Sequence, residues 1–379
     1  MFRLPYKIRW ENSVFLITTF TLTLTALPIY LWYNGLSLFQ FALFFFFFIA
    51  TGLSITLGYH RFFSHLTFQA GWAVKAFTLL FGAAAFEGSA LTWSADHRRH
   101  HKFVDHDDDP YSINRGFWHA HIGWLLFRTS PETPLTWVRD LQKDRLAVLQ
   151  HKYYVPLAFA AGFGLPTLIG FVWGGWTTAL GSLLMAGVAR TVFVHHMTFC
   201  INSLCHWIGD QPYSSKCTAR DSLLMAFFTF GEGYHNFHHE FQYDYRNGVK
   251  PWQFDPTKWT IWLLSKVGLA KRLRTVPEEV IVKAQITEQQ ARLEAALSAQ
   301  PAPLAESVHS VIATAQARLQ TALAHWEHLL AQHRAAAELS RAHRRELKIQ
   351  VEEAYAHLRQ AVRDWVEAHH AVLASPMPA

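Results

Sequence analysis

Residues 12–59 read NSVFLITTFTLTLTALPIYLWYNGLSLFQFALFFFFFIATGLSITLGY, 48 positions without an Asp, Glu, Lys or Arg. A helix needs about 20 apolar residues to cross a bilayer, so this stretch holds two crossings and a tight turn. Tyr33-Asn34-Gly35 marks the turn and predicts spans at about 13–32 and 37–58. A second charge-free stretch, Tyr153–Ala189, divides at Gly174-Gly175 and predicts spans at about 155–173 and 176–198. Pro156 and Pro166 fall in the third span, where membrane helices tolerate proline better than soluble ones do. The first apolar stretch is too long for a cleaved signal peptide, and a second follows it after a short turn.

The composition of the whole chain agrees. Of 379 residues, 51% are hydrophobic and 16% charged, against about a quarter charged in soluble domains. Fifteen Trp and thirty Phe exceed what a soluble core needs. Disorder is excluded over most of the length, and three Cys (200, 205 and 217) without a CxxC pair exclude a disulfide scaffold.

Orientation follows from Lys and Arg. Arg3, Lys7 and Arg9 precede the first span, and the 59–152 connection carries eleven more, from Arg61 to Lys152. The connections within each charge-free stretch carry none. Both termini and the long connection are therefore expected to be cytoplasmic. Residues 277–379 carry a net −2, which leaves +8 on the remainder. Such a basic face suits anionic headgroups or a phosphate-bearing substrate. Two segments imitate spans. The mostly apolar 222–234 is too short, and 76–95, apolar apart from Glu87, is expected as one interfacial or buried helix. Were it to cross, the histidines on either side of it would lie on opposite faces of the membrane.

The chain has 23 His. Eight lie after residue 300 and read as solvated residues of polar helix faces. His60 and His65 form HxxxxH just past the second span. His97, His100 and His101 form HxxHH after the 76–95 segment, and His235, His238 and His239 form another after 222–234. His206 closes Asn202-Ser203-Leu204-Cys205-His206 just past the fourth span. Positions i, i+3 and i+4 share one helix face, so each helical HxxHH aims its imidazoles the same way. Imidazole suits Fe, Zn, Cu and Ni. Nine imidazoles are too many for one metal and suit two metals with four or five nitrogen ligands each. Asn202, four residues before His206, can face the same site directly or through water. The carboxylate-rich soluble di-iron pattern fails, because Glu232-Gly233-Tyr234-His235 is the one ExxH outside the tail, and HExxH is absent.

At these residues the chain resembles the membrane fatty acyl desaturases of the stearoyl-CoA desaturase type. The matching strings are Gly58-Tyr59-His60-Arg61-Phe62-Phe63-Ser64-His65, Asp96-His97-Arg98-Arg99-His100-His101-Lys102-Phe103, Asn202-Ser203 with His206, and Gly231-Glu232-Gly233-Tyr234-His235-Asn236-Phe237-His238-His239. Arg115-Gly116 and His121 to Leu126 also fit. The resemblance covers about residues 10–275. It implies an all-α integral membrane fold, with a cytoplasmic helical cap over four transmembrane helices. It implies two Fe ions held by His60, His65, His97, His100, His101, His206, His235, His238 and His239, with Asn202 reaching one iron through water. The implied reaction is O2-dependent desaturation of a saturated acyl chain, with acyl-CoA as substrate and the double bond at delta-9.

The resemblance places Asp96, Arg128 and Phe199 at the substrate. Its pattern departs here at Ala95, where the acyl-CoA enzymes have Arg, at Phe199, where they have Trp, and at Thr129, beside the Arg128 of a basic pair. Those departures leave an acyl lipid or another acyl carrier open as substrate. His106, His119, His121, His195 and His196 are extra and are expected to support or pack rather than ligate. Of these, His195 and His196 in the fourth span stand out as intramembrane ionisable groups. Arg190, about one turn deeper, has the reach to snorkel or to pair with a substrate group.

Two other readings share the histidines. A membrane hydroxylase using the same site would begin with the same hydrogen removal, but the resemblance outside the motifs favours desaturation. A His-based metal transporter would place its site near the midplane on broken helices, whereas these histidines sit at the ends of the spans.

Residues 1–276 thus form a membrane desaturase domain and 277–379 a helical cytoplasmic tail. In the tail, Pro301 and Pro303 interrupt the first helix. Val308, Ile312, Ala315, Leu319, Leu323, Trp326 and Leu330 then repeat at spacings of three and four, as do Leu347, Val351, Ala354, Leu358, Val362 and Trp365. That is an amphipathic helix or hairpin. With no fused cytochrome b5-like domain in view, the electron donor is expected to be a separate ferredoxin or cytochrome b5-like protein. The remaining expected partners are O2 and the lipid bilayer, with no nucleic acid. The combination points to a bacterial inner membrane, with the active site cytoplasmic.

Overall fold

The computed structural model describes residues 6–298, 306–336 and 340–374. It is mostly helical and divides into two compact units, Met1–Val276 and Pro277–Ala379. The first unit opens with α1 (Trp10–Leu24) and α2 (Ala26–Asn34). They break at Thr25 because Pro28 lacks the N–H that would bond the Leu24 carbonyl, and its ring crowds that oxygen. Gly35, at φ 71°, ends α2, and Ser37 caps α3 (Leu38–Leu53) by accepting from the Gln40 N–H. The helix continues as an eleven-residue π-helix, Ser54–Ser64.

Next come α4 (Trp72–Ala84), α5 (Ala90–Phe103), α6 (Trp124–Leu126), α7 (Arg145–Lys152), α8 (Tyr154–Phe159), α9 (Leu165–Ser182) and α10 (Arg190–Asn202). The unit closes with α11 (Leu223–Phe228), α12 (His235–Glu240) and α13 (Pro256–Lys266). A two-stranded antiparallel ribbon pairs β1 (Gln69–Ala70) with β2 (Ala270–Lys271).

Among the described residues, three helical runs are long and apolar enough to cross a membrane: Trp10–Asn34, Leu38–Ser64 and Tyr154–His206. The third has 53 residues, about 80 Å if straight against a hydrocarbon core of about 30 Å. It is broken at Gly174 (φ −156°, ψ 26°) and Gly175 (φ 72°, ψ −162°), a pair of conformations no helix contains. Near that break, Gln40 Nε2 donates to Tyr30 Oη (2.8 Å), which donates to the Thr177 carbonyl (3.0 Å). A buried amide is thereby satisfied, and α2, α3 and α9 are tied at the end away from the histidines.

The 76–95 segment is not one helix. α4 stops at Ala84, and α5 starts afresh with Ser89 accepting from the Thr92 N–H. Between them Phe86 (φ 61°) and Gly88 (φ 94°) turn the chain. Arg190 neither snorkels nor lines a cavity. It is fully buried, and its guanidinium donates to the carbonyls of Ala84 (2.7 Å), Gly162 (3.0 Å) and Ala186 (3.1 Å). It thus holds the 85–89 turn against α10. A core of Ile55, Tyr59, Phe63, Leu91, Ala95 and Val194, with their neighbours, joins the π-helix, α5 and α10.

The second unit contains α14 (Glu278–Ser298), α15 (Glu306–Ala335) and α16 (Arg341–Ala374). The two stripes read from the sequence meet as Leu319, Leu323 and Trp326 against Ala354, Leu358 and Trp365. α14 adds Ile286 and Leu293 to the same core, so a third helix joins the expected hairpin. Pro301 and Pro303 lie outside the described residues. One tail histidine is not solvated: His369 is buried, with Nδ1 on the Trp365 carbonyl at 2.8 Å. Leu358→Ala is expected to cost about 2–5 kcal/mol in this unit, read as faster hydrogen exchange along α15 and α16.

Candidate metal centre

The HxxxxH pair sits on the π-helix. Its N–H groups bond five residues back, and the His65 N–H reaches the His60 carbonyl at 3.1 Å. An α-helix would send residues five apart to different faces. The π register stacks them, with ring centroids 4.8 Å apart. α5 carries His97, His100 and His101, and α12 carries His235, His238 and His239.

The nine histidines converge as two groups. His60, His65, His97, His101 and His238 form one; His100, His206, His235 and His239 form the other. Within each group the ligand atoms lie within 4.8 Å of one another. Each HxxHH divides between them, which corrects the expectation that a triplet aims one way. In α5 the i, i+4 pair (His97, His101) enters the five-membered group and His100 the other. In α12 the assignment reverses: His235 and His239 join the four-membered group and His238 the five. The two helices together therefore bracket both groups.

The chemistry of the rings fits a cation. His100 Nδ1 lies 2.9 Å from Asp109 Oδ1, and His60 Nδ1 lies 2.8 Å from Glu232 Oε2. His206 Nδ1 lies 2.8 Å from Thr218 Oγ1, whose own proton goes to Asp105 Oδ1 at 2.7 Å. Each acceptor draws the ring proton to Nδ1 and leaves Nε2 a lone pair. Those three Nε2 atoms face further Nε2 atoms: His60 to His238 at 3.0 Å, His206 to His235 at 3.0 Å and His100 to His239 at 3.4 Å. Burial, reinforced by the neighbouring rings, pushes His65, His97, His101, His235, His238 and His239 well below the usual imidazole value. All six are thus neutral near pH 7, as metal ligands must be.

The carboxylates are held ionised. Burial alone would raise Glu232, but Arg61 and His60 bring it below the usual range. Asp109 is lowered likewise, by His100 and by the N–H groups of Tyr111 and Asp105, against its burial. Asp109→Asn is expected to lower metal affinity about ten- to hundredfold, measured by titrating metal back into stripped protein.

α12 is short and is fixed from outside. Asp221 Oδ1 accepts from the N–H groups of Asn236 (2.8 Å) and Phe237 (3.0 Å). Asn236 in turn donates to the carbonyls of Ser214 and Ala219. Gly233 has to be glycine, since a Cβ there would stand 2.0 Å from the Ala226 nitrogen.

A cavity of about 410 Å³ opens beside the five-membered group, with His60 and His97 in its wall. Asp96, Phe199 and Asn202 line it as well. Asn202 is the last residue of α10. Arg128 does not line this cavity; it is exposed beside Glu132 at 3.7 Å. Of the extra histidines, His195 lines the cavity and bonds the Ala85 carbonyl at 2.8 Å. His121 bridges Ser203 Oγ and His196 Nδ1, each at 3.0 Å.

Sequence reasoning missed Trp93, which stacks on His97 (4.8 Å between centroids, 25° between planes). Its Nε1 donates to Glu87 Oε2 (3.3 Å), and Thr198 Oγ1 donates to Glu87 Oε1 (2.8 Å). Burial, opposed by those two bonds, pushes the Glu87 carboxyl up to about 8. Its one signal in the sequence was that it stands alone among the apolar residues of 76–95.

Comparison with known proteins bears on this site directly. A probable acyl-CoA desaturase of Schizosaccharomyces pombe is 44% identical over 63% of this chain and 50% of its own length. Acyl-CoA desaturase 1 of Saccharomyces cerevisiae is 41% identical over 76% of this chain and 56% of its own length. The sn-1 stearoyl-lipid 9-desaturase of Synechocystis is 36% identical over 61% and 70%. The chain spans about half the length of the two fungal relatives. A family model described as fatty acid desaturase matches residues 37–262, which hold all nine histidines. The chain belongs to the fatty acid desaturase family.

Proposed function

We propose that this protein introduces a cis double bond into a saturated fatty acyl chain, with O2 as oxidant and two iron ions held by the nine histidines. The observation that carries this reading is the cavity: it brings an apolar chain past His60 and His97 on the wall of the five-membered group. When bound, the irons would use O2 to remove hydrogen atoms from an unactivated methylene, which has no acidic proton for a base to take. The protein supplies the rest. Trp93, stacked on His97 and tethered to Glu87, fixes the wall beside the site. Glu232, Asp109 and Thr218 orient the rings.

His101 and His239 are partly exposed whereas the other seven are buried, so the face away from the cavity is where an external electron donor, a ferredoxin or cytochrome b5-like protein, would approach. The break at Gly174-Gly175 supports four crossings, and the Lys and Arg of residues 3–9 and 61–152 support cytoplasmic termini; the proposed setting is a bacterial inner membrane. Asn202 lies on the cavity wall, and its proposed role is to reach an iron through water. The acyl carrier is CoA, as in the names of both fungal relatives, and the new bond is at delta-9. Purified iron-loaded chain given stearoyl-CoA, O2 and a reductant is expected to yield the cis-9 monounsaturated product by mass spectrometry. A hydroxylated acyl chain as main product, or no product from iron-loaded protein, would overturn the proposal.

A further inference from the structure

The cavity carries a cation that neither the motifs nor the metal site uses. Arg9 is the one Lys or Arg in its wall among the described residues, against acidic Glu11, Glu87, Asp96 and Glu232. The Arg9 Nε is buried and has no hydrogen-bond partner, and the side chain forms no ion pair among the described residues. An unpaired guanidinium Nε out of water costs free energy unless something arrives to accept from it. The backbone around it is firmly placed. The Arg9 N–H donates to the Leu126 carbonyl (2.8 Å), the Arg128 N–H donates to the Lys7 carbonyl (2.8 Å), and Asn12 Nδ2 donates to the Leu125 carbonyl (3.2 Å). Residues 7–9 are thus clamped antiparallel to 126–128, and Arg9 is fixed in the cavity wall rather than left on a loose terminus.

Position says which part of a ligand it meets. Arg9 lies just before the first membrane-capable run, with Asn12 and Asp96 nearby in the wall, whereas Glu87 and His195 line the part packed against the 85–89 turn. An acyl chain threaded past His97 would leave its polar head at this end.

Resting on the desaturase reading above, we propose that Arg9 is the head-end anchor of the substrate, its guanidinium donating to the phosphate of the acyl carrier. CoA thioesters and phospholipids share that chemistry. Arg9 is a positioning residue: it sets where along the chain the reacting carbons lie and does not touch them.

The test is ligand binding to the full chain in detergent, followed by the fluorescence of the cavity tryptophans Trp93 and Trp124. The probes are stearoyl-CoA, a stearoyl lysophosphatidylglycerol and neutral monostearoylglycerol. Arg9→Gln is expected to weaken the phosphate-bearing probe that wild type prefers roughly tenfold or more, to leave the neutral probe within about twofold, and to raise KM with little change in kcat. Arg9→Lys should recover part of the loss, keeping charge but not the planar fork. Preference between the first two probes identifies the carrier. Equal affinity of wild type and Arg9→Gln for the preferred probe, or equal losses for charged and neutral probes, overturns the anchor while leaving the desaturase reading intact. A wild type that binds none of the three and makes no unsaturated product overturns both.

Discussion

A His238→Ala chain is expected to fold, to insert into membranes and to form no unsaturated product. His238 is held close within its group: its Nε2 is 3.0 Å from His60 Nε2 and 3.0 Å from His101 Nε2, and its ring also packs against that of His65. Removing it leaves four imidazoles and one empty ligand position. Changing a residue that merely orients a ligand costs about ten- to hundredfold, so losing this ligand should cost activity at least about a thousandfold. The four-membered group of His100, His206, His235 and His239 is untouched. Bound iron should therefore fall from about two per chain toward one rather than to none, since each group suits one ion. Elemental analysis, product analysis and far-ultraviolet circular dichroism on the same preparation separate these effects. The protein must be produced without excess zinc, because imidazole sites bind zinc more tightly than ferrous iron. Full activity in this variant would sink the ligand assignment.

Much of this architecture is written in simple periodicities. Charge-free stretches locate the membrane-capable runs because burial of charge in lipid is costly at every position. The HxxHH motifs locate α5 and α12 because a metal needs several imidazoles on nearby turns. What sequence did not disclose is where helix geometry departs from its usual period. The π register at Ser54–Ser64 changes which residues share a face, and nothing in the string SITLGYHRFFS announces it. The break at 85–89 could have been suspected from Gly88-Ser89, a turn glycine before a capping serine, but Phe86 at positive φ carries no such cue.

The groups that orient the rings were invisible for another reason. Asp109, Glu232 and Thr218 reach their histidines across 9, 172 and 12 positions. Their roles depend on tertiary contact rather than on spacing. The first tail helix, before Pro301, was legible, but its place in the core was not, since Ile286 and Leu293 make sense only against α15 and α16.

The second large effect lies behind the metal site, at Arg61. The residue is about 1% exposed, yet all five of its N–H groups are used. Nε and Nη2 donate to Glu232 Oε1 (3.1 and 2.8 Å), Nη1 and Nη2 donate to the two oxygens of Asp255 (3.1 and 3.0 Å), and Nη1 also donates to the Tyr245 carbonyl (2.7 Å). Asp255 further accepts from the N–H groups of Asn247, Gly248 and Lys258, so it pins the 244–258 loop and the start of α13. Glu232 reaches the other way, to His60. Arg61→Leu would leave two buried carboxylates facing each other with their shared cation gone. Breaking a buried ion pair from one side costs about 3–5 kcal/mol, and here one guanidinium serves two partners. The expected result is a loss of at least that size in denaturant unfolding, accompanied by weaker metal retention because Glu232 no longer holds the His60 ring. Arg61→Lys restores the charge but supplies three donors on a flexible stem instead of a planar fork, so it should recover stability only in part and metal retention less. A loss below about 1 kcal/mol in Arg61→Leu, with metal content unchanged, would mean that Glu232 and Asp255 take up protons or water without strain and that His60 is oriented by its own helix alone.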